Sequence, residues 1–195
     1  MKKLFALFVL AGAVAVTCKV QAQEIVKGDL AFLKGATGVN VVFVYDDLTV
    51  GKDGKEANYI KRKKAEKDEK EPGTGATWEE NWHADKTKSY KPKFIKLLSK
   101  YTEWALNEDT KEKYTMVVNT KFIETGYYVG ISSAAAELNL EIAIYDSSDM
   151  KKALCKITMD EVRAGRGMFD NASRIGEAYA KAGKDIGKLI AKKIK

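Results

Sequence analysis

From Glu137 to Ile144 the chain alternates without a break: Leu138, Leu140, Ile142 and Ile144 on one side, Glu137, Asn139, Glu141 and Ala143 on the other. A period of two puts all four large aliphatic side chains on one face of a β-strand. Such a strand needs one apolar cover and leaves its second face to other contacts. The C-terminal residues supply a cover. From Asn171 to Lys195, Ile175, Ala178, Tyr179, Ala182, Ile186, Leu189 and Ile190 recur at helical spacing, which predicts a long amphipathic helix. Lys192, Lys193 and Lys195 crowd its end, where cations complement the helix dipole.

The rest of the chain yields a mixed set of elements. Gly28–Leu33 is expected to be a short strand, followed by a turn at Gly35–Gly38. Val39, Val41, Phe43 and Tyr45 alternate with Asn40, Val42, Val44 and Asp46. Both faces are largely apolar, which predicts a central strand covered on two sides. Residues 56–71 have a helix-forming composition and dense charge of both signs, the mark of a solvated helix face. Pro72-Gly73 ends it. Thr77 and Glu80 have the spacing of a capping box, so a second helix is expected from Trp78. Pro92 opens a third, striped by Phe94, Leu97, Leu98, Tyr101 and Ala105. Strands are expected over 114–124 and at 155–159, the latter with Cys155, Ile157 and Met159 on one face; residues 126–133 read as a long turn. Together these predict one α/β domain over residues 23–195. It holds a mixed sheet of four or five strands, a helical crossover between the early strand and the strand at 114, and an antiparallel meander after it.

The first residues point to export. Lys2 and Lys3 precede the apolar run Leu4–Val16, and Val20-Gln21-Ala22 offers a cleavage site before Gln23. A signal peptide over 1–22 places the mature protein in the periplasm or outside the cell. Cys18 has Ala15 three residues before it and Thr17 immediately before it, not the Leu and the Gly or Ala of a lipid-attachment site, so a soluble exported protein is expected. Losing Lys2, Lys3 and Lys19 lowers the formal charge from +7 to +4, too mild a basicity to indicate nucleic acid. The processed chain has no stretch suited to a membrane span and keeps only Cys155, so packing alone must hold it together.

Several segments resemble an uncharacterised family of exported proteins of Bacteroidota. They are Gly28-Asp29-Leu30 with Phe32-Leu33-Lys34-Gly35, Tyr59-Ile60 with Lys63, Pro72-Gly73 with Trp78 and Trp82, and Pro92 with Phe94. Further along are Val117-Val118, Thr120, Phe122-Ile123-Glu124, Gly126, Arg174-Ile175, Ala178-Tyr179 and Ala182-Gly183-Lys184. The terminal pattern is also similar to small α/β domains of bacterial envelope lipoproteins, such as those like the N-terminal domain of TolB or the curli-secretion lipoprotein. This resemblance implies envelope assembly and protein contacts rather than catalysis, and it implies no catalytic residue.

Read on their own, a few residues could carry chemistry. Asp46 and Asp47 end the predicted central strand, where open α/β sheets place ligands, and paired acids can bind a cation or divide acid and base roles. His83, the one histidine, lies a turn from Glu79, a workable metal-ligand spacing. Trp78 and Trp82, one turn apart, could form a stacking platform with Tyr90 and Trp104. Arg163 and Arg166, around Gly165 and Gly167, could receive an anion before the last helix. Each has a plainer reading as a loop cap, surface histidine, core aromatic or flexible connection. The chain contains no nucleophile elbow and no motif that demands a cofactor or metal. The expected function is that of a non-enzymatic binding or envelope-assembly protein with an envelope protein as partner. The alternatives are a metal- or carboxylate-dependent hydrolase and a small-ligand carrier.

Overall fold

The computed structural model describes residues 23–106, 111–165 and 168–194. The proposed signal peptide and Arg166 therefore lie outside the described residues. The strands are β1 (Gln23–Gly28), β2 (Asn40–Val44), β3 (Thr49–Val50), β4 (Tyr114–Glu124), β5 (Tyr127–Tyr128), β6 (Ser133–Ala134), β7 (Glu137–Asp146) and β8 (Cys155–Arg163). The α-helices are α1 (Glu56–Lys70), α2 (Thr74–Asp85), α3 (Lys91–Thr102) and α4 (Asn171–Ile194).

Six strands form one mixed sheet in the order β1-β8-β7-β4-β2, and β3 pairs β4 beyond the end of β2. β2 and β3 run parallel to β4, as the helical crossover requires, and β4, β7, β8 and β1 are antiparallel. Leu138, Leu140, Ile142 and Ile144 are all buried, with Met116 and Val118 of β4 and Cys155, Ile157 and Met159 of β8 on the same face. A bulge between Thr120 and Phe122 resets the alternation of β4, so Thr120 and Ile123 point inward and Phe122 does not. A second bulge lies between Leu138 and Leu140 opposite β8. There Glu161 takes φ 52° and its N–H donates to Asn139 Oδ1 at 2.9 Å.

Helices α3 and α4 form the second layer, on one face of the sheet. Ile175, Ala178, Tyr179, Ala182, Ile186 and Ile190 are fully buried. The Tyr179 hydroxyl shares a hydrogen bond of 2.6 Å with Thr120 Oγ1, and its ring stacks on Tyr90 at 5.1 Å. Beside the sheet-facing stripe, glycines let α3 approach. A Cβ on Gly183 would lie 2.1 Å from the Phe94 carbonyl oxygen, and one on Gly187 would lie 3.0 Å from Tyr101 Cβ.

Four local expectations are corrected. The N-terminal strand is Gln23–Gly28, and Ala31–Leu33 is a 3-10 turn that seats Leu30 and Leu33 in the core. Helix α2 starts at Thr74 after Gly73 at φ 89°, so Thr77 is inside the helix and caps nothing. Between α2 and α3 the chain does not break: residues 86–90 form a π-helical turn. Pro92 removes an amide hydrogen and its ring crowds the carbonyl four residues back, at Lys88, so the turn widens there. Lastly, β2 is an edge strand, and its outer face is open, with Val42 44% exposed.

Cys155 is fully buried between Ile144 of β7 and Gly28 of β1 in the sheet register, and burial pushes its thiol up to about 11. Native protein is expected to resist thiol reagents until it unfolds. Cys155→Ser is expected to cost about 1–3 kcal/mol, because a hydroxyl replaces a buried sulfur. Rapid labelling of the folded protein would remove this thiol from the core.

Candidate functional site

The helices cover one face of the sheet, and the second face carries a groove. Here the strand register builds three rows. Val44, Asn119, Glu141 and Thr158 lie side by side across β2, β4, β7 and β8, and Glu24 of β1 extends the row. Val42, Val117, Ala143 and Lys156 form the next, and Asn40, Thr115 and Tyr145 the third. The right-handed twist of a sheet makes such a face a saddle. The small Ala143 between Val117 and Lys156 deepens it into a groove of about 350 Å³, lined also by Val26 and Asp46. Its floor is aliphatic, and its rim carries a carboxylate, an ammonium and an amide. The Asn119 side-chain oxygen is buried there without a hydrogen-bond partner among the described residues, so an acceptor is ready for a donor from outside.

One end of this face is braced by Asn40. Its Nδ2 lies 3.0 Å from the Glu112 carbonyl and 3.2 Å from the hydroxyls of Thr115 and Ser147, and its Oδ1 accepts from the Glu112 N–H at 3.2 Å. These bonds tie β2 to β4 and to the turn after β7, so the floor is held by rigid elements rather than loops.

The residues singled out from sequence are dispersed. Asp46 lines the groove, and its backbone carbonyl accepts from Lys121 Nζ at 2.9 Å. Asp47 turns away at φ 58° with its side chain 93% exposed, 3.6 Å from the same ammonium. The two carboxylates therefore do not converge. Trp78 and Trp82 stack on each other at 5.9 Å, with Tyr59 against both at 5.7 and 4.9 Å. Trp82 is buried and donates from Nε1 to Glu56 Oε1 at 2.6 Å, while Lys86 Nζ meets the same carboxylate at 2.8 Å. Tyr90 and Trp104 are core residues, so no aromatic platform faces outward. His83 is exposed, and Glu79 is paired with Lys64 instead of with it. Among the described residues no group of three histidine, cysteine or carboxylate side chains could hold a metal ion. Arg163 is engaged by Glu137 at 2.7 Å and Glu161 at 3.2 Å, which takes its guanidinium away from an incoming anion.

The core contains a cluster of phenols, but it is not built for proton transfer. Burial raises the hydroxyls of Tyr45, Tyr90 and Tyr179, and that of Tyr59 to about 12, so all four stay neutral at ordinary pH. No described helix is long and apolar enough to cross a membrane.

Comparison of the chain with protein-family models, with curated proteins and with solved structures finds no match. Nothing in the fold or in these comparisons points to catalysis.

Proposed function

We propose that the protein is an exported, non-enzymatic binding or assembly protein of the cell envelope, and that it receives a protein partner on the open face of its sheet. The observation that carries this reading is the pattern of that face. An aliphatic floor of Val44, Val117 and Ala143 is rimmed by Glu141, Lys156 and Asp46, with the unpaired Asn119 oxygen between them. An apolar centre with a polar rim is the anatomy of a protein contact. The groove lies at the small end of the range for enclosing a ligand, and it sits on an exposed sheet surface rather than between elements. The signal-like N-terminus supports an envelope location, and the resemblance to exported proteins agrees with it.

The test is position-specific cross-linking in the cell. A photo-reactive residue at Val117 or Val42 is expected to trap one discrete partner, while the same residue at the exposed Glu69 on α1 traps none. Ala143→Arg, which fills the groove, is expected to remove the adduct and leave melting within about 1 kcal/mol of the parent, since Ala143 faces outward. Equal trapping from Glu69 and Val117, or adducts indifferent to Ala143→Arg, would sink the proposal. Recovery of mature protein beginning elsewhere than near Gln23, or lipid-modified at Cys18, would sink its soluble exported form.

A further inference from the structure

The sheet has two outer strands, and they are finished differently. β1 carries Glu24 and Lys27, its pairing with β8 shifts between Ile25 and Lys27, and it ends on Gly28 at φ 70°. Charges and a bulge on an outer strand keep a further strand from adding to it. β2 has neither. Its five residues, Asn40-Val41-Val42-Phe43-Val44, include no charge, no proline and no glycine, and they pair with β4 residue for residue without a shift. Among the described residues β4 is the one strand bonded to β2, and no backbone group outside β4 bonds residues 40–44. A strand turns its N–H and C=O groups to both sides, so those on the outer side of β2 stand ready for another strand.

We propose that β2 pairs antiparallel with β2 of a second copy of this chain, across a two-fold axis beside Val42, and so joins two sheets into one. The edge is self-complementary in that register. Val42 lies opposite the partner's Val42, Val41 opposite the partner's Phe43, and Asn40 opposite the partner's Val44. Val42 is 44% exposed on the open side, and Val41 and Phe43 are partly buried on the helix side. Pairing therefore covers apolar surface on both faces of the strand, and it sets a β-branched side chain against an aromatic one twice.

Charge selects the direction. The end of β2 next to Gly38 is basic: Lys34 and Lys113 line one concavity with Gly38, where Glu112 is the one carboxylate. The other end is acidic: Asp46 and Asp47 follow β2, and Lys121 is the ammonium beside them. With Val42 on the axis, the partner's Asp46 comes opposite Gly38. Each acidic end then lies against the basic end of the other copy, whereas a parallel pairing would set like charge against like. The two-fold also uses up both unprotected edges and leaves the guarded β1 strands outermost, so the assembly closes at two copies instead of growing. Five residues a side make a small interface, which gives a reversible, concentration-dependent dimer. This contact uses the edge and not the groove, so it stands or falls apart from the partner proposed for the open face.

The experiment is sedimentation equilibrium of the processed protein from micromolar to millimolar concentration, with a monomer–dimer equilibrium expected. Val42→Lys, which sets two ammoniums against each other on the axis, is expected to raise the dimer dissociation constant by about tenfold or more. Single cysteines read the register, because Cys155 is buried and is the one native thiol of the processed chain. Opposite residues of an antiparallel pair have Cα atoms about 4.5–5.5 Å apart, within reach of a disulfide. Val42→Cys is therefore expected to give a disulfide-linked dimer when copper phenanthroline is added as oxidant. Val44→Cys is not, because position 44 of one copy lies roughly 13 Å along the strand from position 44 of the other. Val42 and Val44 face the open side of the sheet, so dilute samples of these variants should melt close to the parent. A parent that stays monomeric throughout overturns the proposal, as does a dimer indifferent to Val42→Lys or one that links through position 44 as readily as through 42. A copy-to-copy adduct has twice the mass of the chain, which distinguishes it from capture of a different protein on the groove.

Discussion

Ile186→Ala is expected to lower stability by about 2–5 kcal/mol, among the largest effects available in this protein. Ile186 is fully buried in the middle of α4, under the aliphatic face of the sheet, and its removal leaves a cavity between two rigid layers. For a domain of this size each kilocalorie moves the midpoint by roughly 2–4 °C, so melting should fall by about 5–15 °C. The measurement is a calorimetric or circular-dichroism melt of a dilute, monomeric sample. An unchanged midpoint with lost partner capture would make α4 an interface and leave the sheet without its lid.

Gly183→Val tests the flank of the same helix that faces α3. The first added carbon would sit 2.1 Å from the Phe94 carbonyl oxygen, a backbone atom that cannot swing aside, so α3 and α4 must separate. Valine is a better helix former than glycine, by a few tenths of a kcal/mol. Overpacking outweighs that gain, and a net loss of about 2–4 kcal/mol is expected. A melt would also detect the reverse. A stabilised Gly183→Val protein would mean that the helices are not in backbone contact, and that the glycine serves no packing role.

Elements whose signal is periodic over many residues were legible before any coordinates. Residues 137–144 could only be a one-sided strand, and Ile175 through Ile190 could only be one buried helical stripe. Their mutual packing followed because each lacked another cover. Elements decided by tertiary pairing were not legible. Val42 and Val44 looked buried because they are apolar, yet no described helix lies over them. A strand's second face is covered only if some other element reaches it, which local pattern does not encode. The π turn at 86–90 has a visible cause in Pro92, but whether a proline starts a helix or widens a continuous one depends on what the flanking turns pack against.

The candidate site was less legible still. Of the paired acids only Asp46 reaches the groove, because Asp47 takes a left-handed backbone and its side chain stands in solvent. Trp82 and Tyr90 are core residues while Trp78 packs half-buried against the core, and a carboxylate partner for the indole of Trp82 could not be read from spacing: Glu56 is on another helix. Two features did leave a trace in the chain. The uncharged run 125–136 stands out in a charge-rich sequence and carries the exposed Tyr127, Val129 and Ile131. Arg174 interrupts the apolar face of α4 at its first turn, a position explained only by its acceptors, the carbonyls of Thr125, Met168 and Phe169.

The sheet order also bears on when this protein can fold. β1, at the start of the described chain, pairs with β8 alone, and β8 is the last strand to be made. The layer that shields β4, β7 and β8 from water includes α4, which is made later still. No early portion can therefore close a core ahead of the rest. Collapse waits on residues 155–194, and the search for native pairings is dominated by distant partners, a topology that slows folding. A chain of this design emerges from synthesis open and stays so until its final helix is complete. During that open interval its exposed strands must be kept apart from those of other copies.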